Sequence, residues 1–506
     1  MSEGAVSVAG GLRESGQVPL PLDVPLCVDL DGTLVKSDTL YDSALALARQ
    51  HPRRLLELPK WLGEGKAALK QHITTAVKLD VAHLPYNREL VQYLEQQHAA
   101  GRAIYLATAA DRELAERVAA HLGIFTGVLA SDGSVNLAGK NKLAAFRERF
   151  GDNFCYIGNA SPDIPLLTAC VEPMVANPFA SLSAGLRRAK VVPVRTFSDK
   201  VPAAKAWLKA IRLHQWAKNV LIFLPLLLSH QTHLGLMVGG VVAFLSFGLC
   251  ASATYIVNDL LDLEADRKHP KKRRRPFAAG DLSALSGVMV VVGFLLASVV
   301  LALALPYVVT AISPAIALPY PQGFLMWLGI YAVTTTAYSF RLKRMVLVDV
   351  IVLSGLYTIR IIAGSEATAV PISPWLAAFS IFFFLSLAFV KRFAELESLR
   401  QRGVAPSNGR GYLVSDIEQL RSFGSASGYC SVFVLTLYIS NLEAANLYTH
   451  TRRLWLLLPI LLLWISRLWL LASRGELDED PVVYAITDRR SLMLGVLVVA
   501  VVLFAL

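Results

Sequence analysis

Four oxygen-bearing side chains lie close together in the segment ATYIVNDLLDLEADRKHPKKRRRP. Asn258, Asp262 and Asp266 are spaced by four residues, which places them on one face of a predicted helix, and Asp259 borders that face. Neighbouring carboxylates repel one another unless a cation lies between them. Hard oxygen ligands suit Mg²⁺, which readily shares its coordination shell with phosphate oxygens. We therefore predict that these four residues bind Mg²⁺ and, through it, a diphosphate.

Basic residues follow this cluster directly, in the sequence RKHPKKRRR. Arg267 and Arg275 are candidates for neutralising the remaining charge of a diphosphate. A basic loop after an apolar helix is also typical of a cytosolic membrane anchor, so the loop alone does not discriminate. Carboxylates in helical register at the end of an apolar segment are the more informative signal.

A second pair of carboxylates lies near the N-terminus, where VDLDGTL places Asp29 and Asp31 directly after a short apolar strand. Side chains at the carboxyl end of a parallel strand border the usual ligand crevice of an α/β sheet. One carboxylate can attack phosphorus, and the other can transfer a proton.

Three later residues can complete a phosphate site around this pair. Thr108 ends the next predicted strand and can hold phosphoryl oxygens, while Lys142 can neutralise them, with Lys140 as the alternative. Asp163, in GNASPD, can bind Mg²⁺.

The elements around this second set alternate between strands and helices. Strands are predicted at PLCVD, AIYLATAA, GVLAS and FCYIGNA, with helices between them and a helical insertion from about residue 38 to 100. This alternation predicts an α/β domain with a doubly wound, Rossmann-like parallel sheet and a small helical cap. Residues 1–21 contain no secretory signal pattern and are predicted to form a disordered tail.

The remainder of the chain has the composition of a membrane domain. Charged residues make up 17% of the sequence, and long apolar runs begin near residue 220. The net charge is +11, but the basic residues cluster beside apolar runs, so we predict a lipid bilayer as partner and no nucleic acid. Nine membrane-spanning helices are predicted, at 219–237, 239–257, 284–304, 323–340, 346–364, 374–391, 423–441, 454–472 and 490–506.

The basic loops between these predicted spans lie on one side, which favours a cytosolic N-terminal domain and a multi-pass protein of the inner (cytoplasmic) membrane. The predicted organisation is a tail at 1–21, a soluble domain at 22–195, a linker and interfacial segment at 196–218, and a transmembrane domain at 219–506. The five cysteines are scattered, so no zinc site or disulfide framework is predicted. The sequence leaves the oligomeric state open.

The motif DxDGT, followed in order by Thr108, Lys142 and Asp163, resembles the haloacid dehalogenase superfamily over about residues 22–195. The resemblance implies a phosphatase in which Asp29 is the nucleophile and Asp31 the general acid and base. It also implies that both carboxylates bind Mg²⁺ together with Asp163. The sequence departs from that family at Asn159, where an aspartate is usual, and so loses one anionic metal ligand.

The motif NDxxDxxxD, from Asn258 to Asp266, resembles the first signature of the UbiA superfamily of intramembrane prenyltransferases, over about residues 208–506. The resemblance implies nine helices around a lipid and a Mg²⁺-bound isoprenyl diphosphate. The usual second aspartate-rich motif is absent. Its place is taken by YSFRLKRMVLVDVIVLSGLYTIRIIAG, which has one carboxylate, Asp349, among several basic residues.

This base-rich second motif, with RLHQWAKN and KRFAEL, is similar to the decaprenyl-phosphate phosphoribosyltransferase branch of the superfamily. The resemblance implies phosphoribosyl diphosphate as donor and a polyprenyl phosphate as acceptor. The donor diphosphate would leave as a metal-neutralised anion, and cations would hold the lipid phosphate in line. Candidate residues for these tasks are Lys218, Tyr338, Lys343, Arg360, Lys391 and Arg392.

Each of these basic residues can instead be an interfacial side chain that reaches towards water. Arg360 lies far enough inside its predicted span that an ionic partner is expected. The predicted function is phosphoribosyl transfer to the lipid, followed by removal of the 5-phosphate by the N-terminal domain. The alternatives are prenyl transfer from an isoprenyl diphosphate and, as a non-enzyme, a transporter or a membrane-anchored phosphate sensor.

Overall fold

A computed structural model describes residues 22–132, 135–231, 233–316, 322–401, 403, 411–441, 444, 447–477 and 480–506. The predicted tail at 1–21 lies outside the described residues. The chain forms two compact units. The first comprises the described residues up to Ala203 together with Leu263–Ala284, and the second comprises Ala204–Asp262 and Leu285–Leu506.

A six-stranded parallel sheet with the strand order β3-β2-β1-β4-β5-β6 forms the centre of the first unit. The predicted α/β fold is confirmed, and two short strands that the sequence analysis did not identify complete one edge of the sheet. The strands are β1 (Leu26–Val28), β2 (Ile104–Asp111), β3 (Gly127–Ser131), β4 (Cys155–Gly158), β5 (Glu172–Ala176) and β6 (Arg195–Phe197). The helices are α1 (Thr39–Gln50), α2 (Leu58–Gly63), α3 (Lys66–Ala76), α4 (Arg88–Ala99), α5 (Arg112–Leu122), α6 (Lys140–Phe150), α7 (Ile164–Ala169) and α8 (Ala180–Arg188).

Helices α1 to α3 are inserted between β1 and β2 and share a small apolar core that includes Leu47, Trp61 and Ile73. Asp38 caps α1, since its carboxylate accepts the N–H of Leu40 at 2.9 Å. The helical insertion predicted for residues 38–100 is therefore present, and its first helix begins close to the end of β1.

The second unit is helical. Six helical stretches among the described residues are long and apolar enough to cross a membrane: Leu234–Leu261, Ala284–Ile312, Val348–Thr368, Pro374–Gln401, Val414–Ile439 and Thr451–Ser473. Further helices with described bounds are α9 (Ala203–Ile211), α10 (Leu224–Leu228), α11 (Leu234–Leu261), α12 (Leu263–Lys268), α13 (Ala284–Ile312), α14 (Gln322–Phe340), α15 (Val348–Thr368), α16 (Pro374–Gln401), α17 (Ile417–Ile439), α18 (Leu457–Ser473), α19 (Pro481–Thr487) and α20 (Arg489–Ala505), of which α12 belongs to the first unit.

The predicted nine spans are not confirmed. The first, at 219–237, is not one helix: a 3₁₀ segment at Leu213–Phe223 continues into the short helix α10, and α11 begins only at Leu234. His230, between α10 and α11, has a left-handed φ of 55°, which a continuous helix does not allow. The predicted spans at 323–340 and 490–506 coincide with α14 and α20, which are not among the six stretches.

The segment Leu263–Ala284 packs within the first unit, although the sequence analysis assigned it to the transmembrane domain. Arg267 donates to the carboxylate of Asp42 on α1 at 2.8 Å and to the hydroxyl of Ser37 at 3.1 Å. Lys36 lies 3.8 Å from Asp281. A buried ion pair such as Arg267–Asp42 is costly to break, because the remaining charge loses its partner away from water.

The 3₁₀ segment Leu213–Phe223 packs tightly against α11 and α15. The indole of Trp216 donates to the hydroxyl of Ser252 at 2.9 Å. A β-carbon at Gly364 would lie 2.0 Å from the carbonyl oxygen of Ile222. Only glycine therefore allows α15 to approach the 3₁₀ backbone so closely.

Replacing this glycine should separate the two elements. We expect Gly364→Ala to lower the free energy of unfolding by about 2 kcal/mol, because the added methyl group overlaps backbone atoms that cannot move independently. Gly355→Ala, on the same helix, is the matched control, since a β-carbon there meets no atom within 4 Å. Thermal unfolding of the two purified variants in detergent measures the difference. Equal stability of the two variants would contradict the packing described.

Candidate active sites

The first site lies at the carboxyl end of β1, beside the point where the strand order of the sheet reverses between β1 and β4. Asp29 directly follows β1 and is buried. The ammonium group of Lys142, on α6, donates to Asp29 Oδ1 at 2.8 Å, and the hydroxyl of Thr33 lies 3.4 Å from Oδ2. The lysine that contacts Asp29 is therefore Lys142, whereas Lys140 is exposed.

Tyr156, on the neighbouring strand β4, joins this pair to Asp163, the predicted metal ligand. The hydroxyl of Tyr156, on β4, accepts a hydrogen bond from Lys142 at 3.0 Å and donates to Asp163 Oδ1 at 2.8 Å. Asp163 Oδ2 accepts the backbone N–H groups of Asn159 and Ala160, both at 3.1 Å. The structure thus brings Lys142 and Asp163 together through Tyr156, which the sequence analysis missed.

Asp31 lies two residues after Asp29 and accepts the backbone N–H of Thr39, at the start of α1, at 2.7 Å. It borders a cavity of about 710 Å³ beneath helices α1 to α3, which is also lined by Lys70 and Asn136. A proton-transferring carboxylate at the wall of an open cavity can reach a bound substrate.

The hydroxyl of Thr108 accepts the N–H of Ala110 at 3.0 Å and is buried.

Burial governs the protonation of both carboxylates. It raises the pKa of Asp29 to about 7, although Lys142 opposes the rise. Burial likewise raises the pKa of Asp31 to about 7, with Asp38 adding to the rise and the N–H of Thr39 opposing it. Burial alone would lower the pKa of Lys142, but Asp29 holds it above its usual range.

The second site contains the first part of the aspartate-rich motif. Helix α11 ends at Leu261, and Asp262 is its C-terminal cap. Arg212 contacts Asp259 at 2.5 Å, and Lys343 contacts Asp262 at 3.1 Å. Each of these two acidic residues thus has a cationic neighbour from a different segment, while Asn258 is half-buried on the last turn of the helix.

The prediction that Asp266 continues the same helical face is wrong. Asp266 lies on the separate helix α12, because the chain leaves the helical conformation at Asp262. Within the first unit, Arg275 contacts Asp266 at 2.6 Å, and Arg267 is engaged by Asp42. Diphosphate binding by Asp266, Arg267 and Arg275 remains a prediction.

The single carboxylate of the second motif is the centre of a buried network in the second unit. Arg392, on α16, contacts Asp349 Oδ2 at 2.5 Å and donates to the hydroxyl of Tyr338 at 2.9 Å. Tyr412 also donates to Asp349. The guanidinium of Arg392 also pairs with Glu395 at 2.6 Å. Arg392 and Tyr338 therefore lie in one network with Asp349.

Lys218 and Lys391 meet at one carboxylate, Asp480, which the sequence analysis missed. Each ammonium group lies 2.7 Å from Asp480 Oδ2, and the hydroxyl of Tyr357 lies 3.3 Å from Oδ1. These residues line a cavity of about 60 Å³ that Arg360 also borders. Of the described residues that line this cavity, three are cationic and Asp480 alone is acidic.

Arg360 contributes a buried positive charge to this cavity. It donates to Asn219 Oδ1 at 2.9 Å and to the hydroxyl of Tyr331 at 3.2 Å, and its guanidinium lies 4.8 Å from the Tyr331 ring centre. Within the described part of the chain, no carboxylate pairs with Arg360. The expected ionic partner is thus not found, and neutral dipoles and aromatic rings hold the charge instead.

Apolar cavities continue from the cationic one. Leu387 and Val482 line both the cationic cavity and a neighbouring cavity of about 330 Å³. Phe379 and Phe383 line that second cavity and a third of about 600 Å³. Charged and apolar space are therefore adjacent, as an amphipathic ligand with an anionic head requires.

Both sites offer the oxygen donors that Mg²⁺ prefers. Asp29, Asp31 and Asp163 are candidates in the first unit, and Asp259 and Asp262 in the second. Among the described residues, however, no group of three or more histidine, cysteine, aspartate or glutamate side chains is arranged to hold a metal ion. The chemistry of the donors, carboxylate oxygens directly after β1 and at the end of α11, fits Mg²⁺.

The fold and the sites define a membrane-embedded transferase joined to an α/β hydrolase domain. Residues 220–487 match the model of the UbiA prenyltransferase family, and residues 26–168 match that of the haloacid dehalogenase-like hydrolases. The chain belongs to the UbiA prenyltransferase family, with a haloacid dehalogenase-like domain at its N-terminus. It is an enzyme with transferase and phosphatase domains, and both families are Mg²⁺-dependent in general.

Three similar proteins match different shares of this chain. An uncharacterized protein of Sinorhizobium fredii is 38% identical over 96% of this chain and 91% of its own length. Nodulation protein NoeC of Azorhizobium caulinodans is 32% identical over 59% of this chain and 92% of its own. A decaprenyl-phosphate phosphoribosyltransferase of Mycobacterium tuberculosis is 37% identical over 39% of this chain and 62% of its own.

The hydroxyl of Tyr156 should matter for the first site. We expect Tyr156→Phe to lower the hydrolysis of p-nitrophenyl phosphate about tenfold, because Lys142 and Asp163 lose the group that orients them both. Tyr105→Phe, on β2 at the other side of β1, is the control, and it should retain the wild-type rate. An unchanged rate in Tyr156→Phe would show that this hydrogen-bonded chain is not part of the catalytic arrangement.

Proposed function

We propose that the second unit transfers the 5-phosphoribosyl group from phosphoribosyl diphosphate to a polyprenyl phosphate. The first unit then removes the 5-phosphate from the lipid product. The observation that carries this proposal is the cavity in which Lys218, Lys391 and Arg360 outnumber the single carboxylate Asp480. A cationic cavity next to apolar space suits an acceptor that is itself a lipid phosphate, whereas an aromatic acceptor would not need three cations.

The donor diphosphate is proposed to bind at the end of α11. Asn258, Asp259 and Asp262 would hold Mg²⁺, which supplies the positive charge that stabilises a departing diphosphate when it is bound. Arg212 and Lys343, which contact two of these carboxylates, can hold the phosphate oxygens and keep the carboxylates oriented. The name of the mycobacterial relative supports phosphoribosyl diphosphate as the donor.

Transfer requires one bond to form and one to break at ribose C1. An oxygen of the lipid phosphate forms the new bond to C1, and the bond from C1 to the diphosphate oxygen breaks with its electron pair. The acceptor oxygen is already anionic, so no general base is required. The protein must mainly position the two anions against their mutual repulsion, and this is the task we assign to Lys218, Arg360 and Lys391.

The first unit is proposed to act on the phosphorylated ribose that this reaction produces. Asp29 attacks the 5-phosphate phosphorus, and Asp31 gives a proton to the departing ribose oxygen. Water then attacks the aspartyl phosphate, with Asp31 accepting the proton, to release inorganic phosphate. Lys142 neutralises the phosphoryl group, and Thr108 is the candidate that holds its oxygens, although β2 continues past Thr108 to Asp111 and does not end there as predicted. The cavity of about 710 Å³ beside Asp31 is large enough for a sugar phosphate.

The two activities are proposed to face the cytosol, at the inner membrane of the cell, because both substrates carry phosphate groups that the cytosol supplies. The basic loops between the apolar helices support this orientation. Tethering a phosphatase to the membrane domain raises its effective concentration near the lipid product. The chain passes from one unit to the other after Ala203, Asp262 and Ala284, and these connections would provide the tether.

Membranes that contain the protein should convert only one substrate pair. We expect label from the ribose of phosphoribosyl diphosphate to enter the lipid fraction when a polyprenyl phosphate is present. An isoprenyl diphosphate with an aromatic acid, offered in parallel, should give no product. Transfer of the isoprenyl group alone would support the alternative, a prenyltransferase, and would contradict the proposal.

Single substitutions should separate the two reactions. Asp259→Asn should reduce phosphoribosyl transfer at least a hundredfold and leave hydrolysis of p-nitrophenyl phosphate intact, since it removes a carboxylate from the transferase site only. Asp29→Asn should abolish hydrolysis and cause the 5-phosphorylated lipid to accumulate. Thin-layer chromatography of the labelled lipids distinguishes the two products. Loss of both activities in either variant would argue against two independent sites.

A further inference from the structure

Asp480 occupies the position that an acceptor phosphate would need. One oxygen of this carboxylate receives hydrogen bonds from both Lys218 and Lys391, and the exposed fractions of the Asp480 and Lys218 side chains are 11% and 9%. Two ammonium groups on one oxygen form a site for an anion with several oxygens, and the carboxylate fills it within the protein itself.

The remaining charge around this site is positive. Arg360 also borders the cavity, and its partners in the described chain are neutral. One carboxylate therefore balances only part of the charge of three cations. A phosphate monoester, which carries close to two negative charges near neutral pH, would balance this cluster better than a carboxylate does.

Asp480 and its two lysines lie on elements of different length. It directly precedes the short helix α19, and its Oδ1 accepts the N–H of Val482 at 3.1 Å. Lys218 and Lys391 come instead from a 3₁₀ segment and a long helix that are packed within the bundle. The aspartate lies at a helix end, and the lysines lie on longer elements.

We propose that Asp480 is an internal counter-ion that the phosphate of the acceptor lipid displaces from Lys218 and Lys391. This inference rests on the proposed function for the identity of the ligand, a phosphate monoester on an apolar chain. Transfer turns the monoester into a diester with a single negative charge. The diester balances the two lysines less well, so Asp480 can return to them and favour release of the product.

Binding of farnesyl phosphate to the purified protein, without any donor, tests the proposal. Asp480→Asn should bind farnesyl phosphate about tenfold more tightly than the wild type, because no carboxylate competes for the lysines. Binding of farnesol, which lacks the phosphate, should not change. Asp488→Asn is the matched control, since Asp488 lies close in sequence and pairs with Arg467 at 2.6 Å instead of with the two lysines. Weaker or equal binding of farnesyl phosphate by Asp480→Asn would overturn the proposal.

Hydrogen exchange in the wild-type protein provides a second test that needs no variant. Displacement of Asp480 frees the N–H of Val482, so farnesyl phosphate should speed exchange in the peptide that contains α19, whereas farnesol should not. Slower or unchanged exchange with farnesyl phosphate would show that the carboxylate stays in place. Neither measurement requires transfer, so a protein that binds farnesyl phosphate in this way but transfers no ribose would refute the proposed donor and leave this inference standing.

Discussion

A charged group that leaves water needs an opposite charge nearby, and this requirement shapes both units. In the first unit, Lys142 balances part of the charge of Asp29, and Arg267 is held by Asp42. In the second, Arg392 pairs with Asp349, and Lys218 and Lys391 share Asp480. Burying such pairs costs desolvation energy that the pair itself barely recovers, so their stability alone does not explain them. A charged ligand can explain the pairs that border a cavity, such as Lys218 and Lys391 with Asp480.

The ion pairs at Asp349 and at Asp480 differ in how much charge they leave unbalanced. Asp349 accepts hydrogen bonds from Arg392 and Tyr412, and Arg392 also donates to the hydroxyl of Tyr338, so the charge of Asp349 is paired. The cavity at Asp480 has an excess of positive charge and continues into apolar space. The first arrangement fits a role in holding helices together, and the second fits the binding of an anionic lipid.

The sequence predicts much of the local structure. The parallel sheet follows from alternating apolar strands and amphipathic helices, and Asp29 and Lys142 follow from the order of the motifs. The residues that it does not predict make contacts over long sequence separations. Tyr156 resembles any buried strand tyrosine, and Arg212 and Asp480 lie far in sequence from the residues that they contact. The break at Asp262 was missed because helical spacing continues in the sequence beyond the point at which the helix ends.

Two reactions on one chain are proposed to add a phosphoribosyl group to a lipid phosphate and then to remove its 5-phosphate. A donor with radiocarbon in the ribose and radiophosphorus in the 5-phosphate tests this directly when it is offered to the wild-type protein with a polyprenyl phosphate. We expect a lipid that carries radiocarbon alone, together with radiophosphorus as inorganic phosphate. A final lipid that retains both labels, or no labelled lipid at all, would contradict it.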